Sequence, residues 1–280
     1  MRLIIKHATQ YVYGSPVTRL SQSIRMTPTS NSAQHVLRWQ VRGSDGRPLS
    51  ATQDGFGNIV QLHHPRHPGR SVSVTVEGEV LTENKNGVVE LPHECLPPIF
   101  FTAPTAYTQL DKALVALGRD AADHAMPDVA ASDGPPTEVT TLHRLMALVR
   151  QRIEYVVDVT SVENTAIEAL AQGSGVCQDH AHVMIAAAHS LGIPARYVSG
   201  YLWTNAQANE VASHAWMEAF VPDLGWVGFD AANQVCPDDR YVRLAYGRDY
   251  ADAAPVRGVR VGGDVETLHV SVQVQVAARS

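Results

Sequence analysis

The sequence has little cysteine and no long apolar run. Its three cysteines, Cys95, Cys177 and Cys236, are scattered along 280 residues, and an odd number of separated thiols does not build a disulfide framework. No run of about 18 apolar residues occurs, so no membrane-spanning helix is predicted. The N-terminal residues MRLIIKHATQYVYG lack the longer apolar stretch and small-residue cleavage site of a signal peptide. We therefore expect a cytoplasmic protein that does not contact a membrane.

Basic residues are also scarce. The chain has 22 lysines and arginines against 28 acidic residues, a formal net charge of -6. Without a basic stripe to neutralise phosphates, nucleic acid is not an expected partner. Internal repeats and low-complexity tracts are absent, and nothing in the sequence specifies an oligomeric state. At roughly 150 residues per domain, the length predicts about two domains.

The first third of the chain has the pattern of short strands separated by turns. The strand-like segments are RLIIKHATQYVY, LSQSIRMTP, HVLRWQVRG, NIVQLHH and SVSVTVEGEVLTE. In the last of them Val72, Val74 and Val76 alternate with polar residues, as in a strand with one buried face. Residues 1–83 are therefore predicted to form a β-sandwich-like domain. Residues 84–136 are rich in proline and are predicted to be a linker or crossing segment with a short helix near LDKALVALGRD.

Residues 137–280 mix helical and strand patterns and are predicted to form an α+β catalytic domain. One predicted helix starts at Thr137, a second ends at Gly173, and a third, CQDHAHVMIAAAHSLG, is apolar nearly all round. A helix of that kind is usually buried at the centre of a domain. The predicted strands are ARYVSGYLW, SHAWMEAFV, GWVGFDAAN and TLHVSVQVQVAA. The segment DDRYVRLAYGRDYADAAPVRG has no clear period and is predicted to be an ordered loop.

The stretch GSGVCQDHAH places Cys177 at the start of that central helix. Free backbone N–H groups and the positive end of the helix dipole would then stabilise a thiolate, which is the reactive form of cysteine. Gly173 and Gly175 are predicted to let the backbone turn tightly and to leave room for a substrate. The position thus indicates a nucleophile.

A cysteine nucleophile needs a base, and the base needs a group that orients it. His214 begins one predicted strand, and Asp230 ends the next. A hairpin would bring Asp230 beside His214, where the carboxylate would fix the ring tautomer and balance an imidazolium. The spacing therefore predicts a Cys-His-Asp triad.

Three blocks of the sequence resemble the bacterial transglutaminase-like cysteine peptidases. They are GSGVCQDHAHVMIAAAHSLGIPARYVSGYL, HAWMEAFVPDLGWVGFDAAN and DRYVRLAYGRDYADAAPVRG, and the first eighty or so residues resemble the β domain that precedes this core. The resemblance implies a papain-like, transglutaminase-like core in which a central nucleophile helix packs on an antiparallel sheet. It also implies Cys177 as nucleophile, His214 as general base and acid, and Asp230 as orienting carboxylate. The family usually has Pro-Thr-Asn after the aspartate, whereas Ala-Ala-Asn stands here, so we expect a looser turn with the triad intact.

Further site residues are predicted around the triad. Oxyanion stabilisation should include the backbone N–H of the nucleophile, with Tyr155 or Gln172 as candidates for a second donor. Trp216 flanks the histidine and either packs in the core or covers the thiolate from water. The resemblance places Tyr246 and Arg248 near the active-site mouth as substrate contacts, and the alternative is a structural loop anchored by Arg248.

A metal site is the main chemical alternative near the nucleophile. Cys177, Asp179, His180 and His182 lie close together in sequence, but they lack the i, i+4 pair that helical zinc sites use. We expect Asp179 to cap the helix or to bond a neighbouring strand, and His182 to pack inside the domain. No metal or other cofactor is predicted.

The predicted reaction is acyl transfer from an amide through a thioester. Water as acceptor gives a peptidase or amidase, and an amine acceptor gives a protein-glutamine transamidase. We expect hydrolysis, because the sequence shows no counterpart of the extra domains and acidic calcium loops of large crosslinking enzymes. A non-catalytic peptide-binding module and a zinc-dependent hydrolase are the alternatives from other classes. The expected partner is a protein or peptide substrate.

Overall fold

The computed structural model describes residues 1–123, 137–157, 159–204 and 213–277. The strands in chain order are β1 (Arg2–Thr27), β2 (Gln34–Arg42), β3 (Ala51–Gln53), β4 (Ile59–His63), β5 (Gly69–Thr82), β6 (Val88–Val89), β7 (Glu154–Tyr155), β8 (Ser174–Gly175), β9 (Ala195–Leu202), β10 (Ser213–Val221), β11 (Gly225–Phe229), β12 (Tyr241–Gly247), β13 (Val256–Gly262) and β14 (Glu266–Val276). The helices are α1 (Lys112–Asp123), α2 (Glu138–Arg152), α3 (Ala166–Gln172), α4 (Cys177–Ser190) and α5 (Tyr250–Ala253), with a 3₁₀ helix at Pro98–Thr102. The fold is α+β, as predicted.

The N-terminal sheet is built around β1, which joins the first two predicted strands into one. Its first half pairs with β5 and β14, and its second half pairs with β4 and β13, all antiparallel. Ile24 and Met26, in the second half, pack against Val74 and Val76 of β5, which pairs with the first half. The sheet therefore folds back on itself around an apolar interior, which gives the predicted sandwich-like form from one seven-stranded sheet.

The last two strands correct the predicted domain boundaries. Both β13 and β14 pair with β1, so residues 256–276 belong to the N-terminal sheet and not to a catalytic domain that spans 137–280. Alternating apolar residues indicate a strand, but they do not specify the sheet that it joins. Residues 84–123 are also more than a linker, because β6 pairs with β11 and α1 packs on α2 and α4. Residues 124–136 of the predicted linker lie outside the described residues.

The second part of the structure consists of a five-stranded antiparallel sheet with α4 packed on one face. The strand order is β12-β9-β10-β11-β6, and α4 lies against β9 and β10. Met184 and Ile185 of the helix share one core with Ala215 and Met217 of β10. The many alanines of α4 allow this close packing, and helices α1, α2 and α3 surround it. The predicted central helix on an antiparallel sheet is confirmed.

Local signals located helix ends but missed strands in the segment before the last predicted strand. Thr137 caps α2 by accepting from the N–H of Thr140, and Gly173 ends α3 with a left-handed φ of 70°. The segment predicted to be an ordered loop instead contains β12 and α5. Arg243 is buried in the middle of β12 and interrupts the apolar pattern by which a buried strand is recognised.

Amide side chains from the N-terminal domain cover the free edge of β12. Gln34 donates from Nε2 to the Arg243 carbonyl at 2.8 Å and accepts from the Arg243 N–H at 2.8 Å. Asn58 makes the same pair of bonds with Tyr246, at 2.7 and 2.9 Å. Unpaired strand edges carry unsatisfied backbone groups, and here two side chains satisfy them as a neighbouring strand would.

A buried cluster of charged side chains lies on the face of the sheet opposite α4. The carboxylate of Glu218 accepts from Arg196 Nε and from Arg243 Nε, each at 2.7 Å. The Arg196 guanidinium also lies 3.7 Å from the ring centroid of Trp226. Burial alone would raise the pKa of Glu218, but the two guanidinium groups lower this pKa to about 2. The cluster thus links β9, β10 and β12 through a charge that stays ionised.

We expect Glu218→Gln to lower the free energy of unfolding by about 3–5 kcal/mol, because it leaves buried guanidinium charges without their carboxylate. Urea unfolding followed by circular dichroism measures this loss. Glu266→Gln is the matched control, since Glu266 pairs with Arg260 at the surface and should lose less than about 1 kcal/mol. Equal losses in the two variants would contradict a special role for the buried cluster.

Candidate active site

Helix α4 starts directly at Cys177. Val176 precedes it in an extended conformation as the N-cap. Behind that residue, β8 pairs in parallel with β7, and the Val156 N–H donates to the Gly175 carbonyl at 3.0 Å. The sulfur therefore lies on the first turn of α4, where the backbone N–H groups have no partner within the helix. This is the predicted position.

Asp179 caps the helix, as expected. Its Oδ2 accepts from the Val176 N–H and from Thr160 Oγ1, each at 2.7 Å. A Cβ on Gly175 would lie 2.7 Å from the Asp179 Cβ, so this glycine makes room for the capping side chain. The prediction that Gly175 leaves space for a substrate is therefore corrected, whereas Gly173 does supply the tight turn.

The hairpin of β10 and β11 brings His214 and Asp230 together. His214 is the second residue of β10, and Asp230 follows the end of β11, its antiparallel neighbour. The His214 Nε2–H donates to Asp230 Oδ2 at 2.6 Å. Because Nε2 serves the carboxylate, Nδ1 is the ring nitrogen left for the sulfur of Cys177.

The carboxylate of Asp230 receives hydrogen bonds on both oxygens. Its Oδ1 accepts the backbone N–H groups of Ala232 and Asn233, at 3.0 and 3.2 Å. Its Oδ2 accepts the side-chain amide of Asn233 at 2.8 Å, in addition to His214. The expectation of a looser turn is wrong, because this turn uses backbone N–H groups that alanine also supplies.

Tyr241 is a site residue that sequence reasoning missed. Its hydroxyl donates to Asp230 Oδ2 at 2.7 Å from the first position of β12. The signal was the run YVRLAYG, which is rich in aromatic and branched residues typical of strands, but Arg243 obscured it. Asn233 was noted only as part of a family pattern, without a role.

Trp216 packs beside the histidine. It is buried, and its ring lies nearly parallel to that of His214, with centroids 6.4 Å apart. Tyr241 contacts the same indole edge-on at 5.5 Å. Gly200 lies opposite His214 on β9, and a Cβ there would meet the indole at 2.7 Å. Trp216 thus packs in the core and also supports one side of the imidazole.

The charges of His214 and Asp230 depend on each other. Burial of Asp230 opposes its ionisation, but the hydrogen bonds from His214, Asn233 and Tyr241 lower its pKa. Burial of His214 disfavours the charged ring, but hydrogen bonds with Asp230 and with the Cys177 side chain raise its pKa to about 10. The imidazole is therefore protonated at neutral pH and lies next to the sulfur.

The two candidates for a second oxyanion donor differ in placement. Tyr155 pairs with Gly175 across β7 and β8 and is about half exposed. Burial, followed by the charges of Cys177 and Asp230, raises the pKa of Tyr155 to about 12. Gln172 instead donates from its amide to the Val159 carbonyl at 3.2 Å. Tyr155 thus lies at the site, whereas the amide of Gln172 has another partner.

Tyr246 and Arg248 were predicted to contact substrate at the active-site mouth, but both side chains contact other parts of the protein. Tyr246 is buried at the domain interface, where its hydroxyl donates to the Phe56 carbonyl at 2.5 Å. Its ring packs 4.3 Å from the Arg196 guanidinium. Arg248 pairs with Asp252 at 2.8 Å, as in the structural-loop alternative. The prediction of substrate contact is wrong for Tyr246, because substrate cannot reach a buried, bonded side chain.

The histidines near the nucleophile have packing roles. His182 is fully buried, accepts the Tyr250 N–H at 3.1 Å and lies between the rings of Tyr107 and Tyr197. Both ring nitrogens of His180 face backbone carbonyls. Across the described residues, no group of three or more histidine, cysteine or acidic side chains is arranged to hold a metal ion.

Comparison with known proteins identifies the family. Residues 3–81 match the bacterial transglutaminase-like N-terminal region, and residues 126–231 match the transglutaminase-like superfamily. An uncharacterized protein of Mycobacterium leprae is 32% identical over 98% of both chains. The chain belongs to the transglutaminase-like superfamily. An uncharacterized Mycobacterium tuberculosis protein is also similar, with 28% identity over 98% of this chain and 92% of its own.

Two further similarities bear on the class of this transglutaminase-like protein. A solved structure of a candidate cysteine protease from Cytophaga hutchinsonii shares the fold, with a TM-score of 0.72 and 22% identity over 100% of this chain and 92% of its own. A protein-glutamine gamma-glutamyltransferase of Pseudomonas aeruginosa is 33% identical over 101 residues, which are 32% of this chain and 15% of that enzyme. Family and fold support a cysteine-dependent enzyme. No helix in the described part is long and apolar enough to cross a membrane.

We expect Gly175→Ala in this transglutaminase-like protein to lower the free energy of unfolding by about 1–2 kcal/mol, because the new Cβ displaces the Asp179 cap. Gly55→Ala is the control, since a Cβ there meets no atom within 4 Å. Urea unfolding of both variants measures the difference. A Gly175→Ala protein as stable as the control would contradict the capping role of Asp179.

We expect Tyr241→Phe to raise the pH at which His214 titrates by about 0.5–1, because Asp230 loses one donor and becomes a stronger partner for the imidazolium. The other donors keep the carboxylate in place. Imidazole NMR titration in a Cys177→Ser background measures the shift.

Tyr246→Phe is the control for this titration. It removes a buried, bonded hydroxyl from the same strand, but that hydroxyl bonds Phe56 and not Asp230. His214 should titrate as in the parent. A change of the same size in the two variants would mean that strand β12, and not the Tyr241 hydroxyl, determines the effect.

Proposed function

We propose that this protein is a cysteine-dependent hydrolase, a peptidase or amidase that cleaves an amide or isopeptide bond through a thioester. Cys177 is the nucleophile, His214 the general acid and base, and Asp230 the orienting carboxylate. The observation that carries the proposal is the position of His214, which hydrogen-bonds Asp230 at 2.6 Å through Nε2 and lies close enough to the Cys177 side chain for that side chain to raise its pKa. The substrate is a protein or peptide.

In the first half of the reaction, the Cys177 thiolate attacks the carbonyl carbon of the amide. The Cys177 backbone N–H, free at the start of α4, stabilises the oxyanion that forms. His214 then gives its proton to the leaving nitrogen, the carbon–nitrogen bond breaks, and an amine departs. Tyr155 is the better placed of the two candidates for the second oxyanion donor.

In the second half, the neutral His214 takes a proton from water while the water oxygen attacks the thioester. The carbon–sulfur bond breaks, the acid product leaves, and the thiolate and imidazolium are restored. Asp230 keeps its charge throughout and holds the ring with Nδ1 toward the sulfur. Trp216 packs beside the His214 imidazole and restricts the tilt of that ring.

Transamidation is the second candidate function, since it uses the same triad with an amine in place of water. The similarity to a protein-glutamine gamma-glutamyltransferase over 101 residues favours it. We favour hydrolysis because water needs no binding surface of its own, whereas a second protein substrate does. The two reactions differ only in the acceptor, so their products distinguish them.

We expect iodoacetamide to alkylate Cys177 at pH 6 at least about tenfold faster in the parent than in His214→Ala, because a neighbouring imidazolium stabilises the thiolate. The raised pKa of His214, about 10, keeps the ring protonated through neutral pH. Replacing Cys95 and Cys236 with serine in both proteins removes the other thiols, and intact mass follows the reaction. Equal rates in the two proteins would argue against the thiolate–imidazolium pair.

A peptide library made from a proteome digest tests the acceptor. With monodansylcadaverine present, a hydrolase yields new free carboxyl ends, and a transamidase yields dansylated glutamine residues. Both products should be lost in Cys177→Ala. Dansylation that exceeds cleavage would replace the hydrolase proposal with the transamidase.

A further inference from the structure

A group of exposed apolar side chains lies in the segment that follows β7, and hydrogen bonds attach this segment to the first turn of α4. Tyr155, Val157, Val159 and Val162 expose 42, 62, 41 and 55% of their surface within eight residues of chain. We call these four residues the apolar rim. Large apolar side chains scattered singly on a surface need no explanation, but a local group is typical of a binding surface.

The segment that carries the apolar rim is attached to the nucleophile turn. Thr160 Oγ1 donates to the carboxylate of Asp179, the residue that caps α4, at 2.7 Å. The side-chain amide of Gln178, next to the nucleophile, donates to the Val162 carbonyl at 3.0 Å. These bonds attach Thr160 and Val162 to the first turn of α4, which begins at Cys177.

Tyr155 connects the apolar rim to the reacting centre. It pairs with Gly175, two residues before the nucleophile, and its hydroxyl lies within the field of the Cys177 and Asp230 charges. Tyr155 therefore lies near the sulfur to which an acyl group would be bound, and the apolar rim begins at this residue.

We propose that the apolar rim binds the acyl part of the substrate and selects peptides with an aliphatic or aromatic side chain near the scissile amide. This inference rests on the proposed function, because it assumes that Cys177 is the reacting group. Burial of such a side chain against the valines would supply the binding free energy. The hydrogen bonds from Thr160 to Asp179 and from Gln178 to the Val162 carbonyl hold the segment in place before substrate arrives. Little ordering of the segment is therefore required on binding.

The test compares two alkylating probes on the thiol, iodoacetamide and N-hexyl-iodoacetamide. The ratio of their second-order rate constants, divided by the same ratio for glutathione, gives the preference of the site for an apolar tail. We expect a preference of about tenfold for the hexyl probe. The Val157→Ser/Val159→Ser variant should lose most of this preference and keep its rate with iodoacetamide.

The matched control is Val259→Ser/Val261→Ser. These valines are 74 and 59% exposed on β13, in the N-terminal sheet, so the same chemical change falls away from the thiol. The preference for the hexyl probe should stay as in the parent. Cys95 and Cys236 are serine in every protein compared.

The possible results distinguish a failure of this inference from a failure of the proposed function. No preference beyond that of glutathione, or an equal loss in the two double variants, would overturn the apolar rim as a binding surface. A preference that appears only on dilution would assign the rim to contact between copies of this chain and would also overturn the inference. Iodoacetamide rates that do not depend on His214 would instead contradict the proposed function.

Discussion

The buried carboxylate of Asp230 is the group on which the rest of the site depends. A buried charge is tolerated only when donors surround it, and here they come from three parts of the chain: β10, the turn after β11, and β12. Each donor has a fixed place only if its strand does. Asp230 therefore stays ionised only while the register of these strands keeps its donors in place. The ionised carboxylate in turn raises the pKa of His214.

The N-terminal domain contributes to this arrangement through β12. That strand is at the edge of the catalytic sheet, and Gln34 and Asn58 satisfy its outward backbone groups. The chain then returns to the N-terminal sheet as β13 and β14, so the last two described strands pair with the first. Strand β12, which supplies the Tyr241 hydroxyl, therefore pairs with β9 on one edge and bonds side chains of the N-terminal domain on the other. The first domain thus helps to support the candidate active site.

Cys177, His214 and Asp230 could be proposed as site residues from the sequence because each has a local signal. A cysteine at a helix start and a histidine and an aspartate on successive strands are patterns of a few residues. Tyr241 could not be predicted in this way, since a buried Arg243 hides its strand and the partner that neutralises that arginine, Glu218, lies on another strand. Tyr246 was misplaced for a related reason, because resemblance gives a neighbourhood in sequence and not the direction of a side chain.

Asp179 connects the first turn of α4 to the segment that carries the apolar rim. One oxygen of this carboxylate accepts both the N–H that caps α4 and the Thr160 hydroxyl from the segment with the apolar rim. Asp179 therefore fixes the first turn of the helix, where the oxyanion donor lies, and the distance from that turn to the rim. Because Gly175 leaves the space that this side chain occupies, the glycine, the cap and the rim depend on one another. In the proposed reaction, a substrate on the rim would therefore meet a thiol that the same hydrogen bonds hold in position.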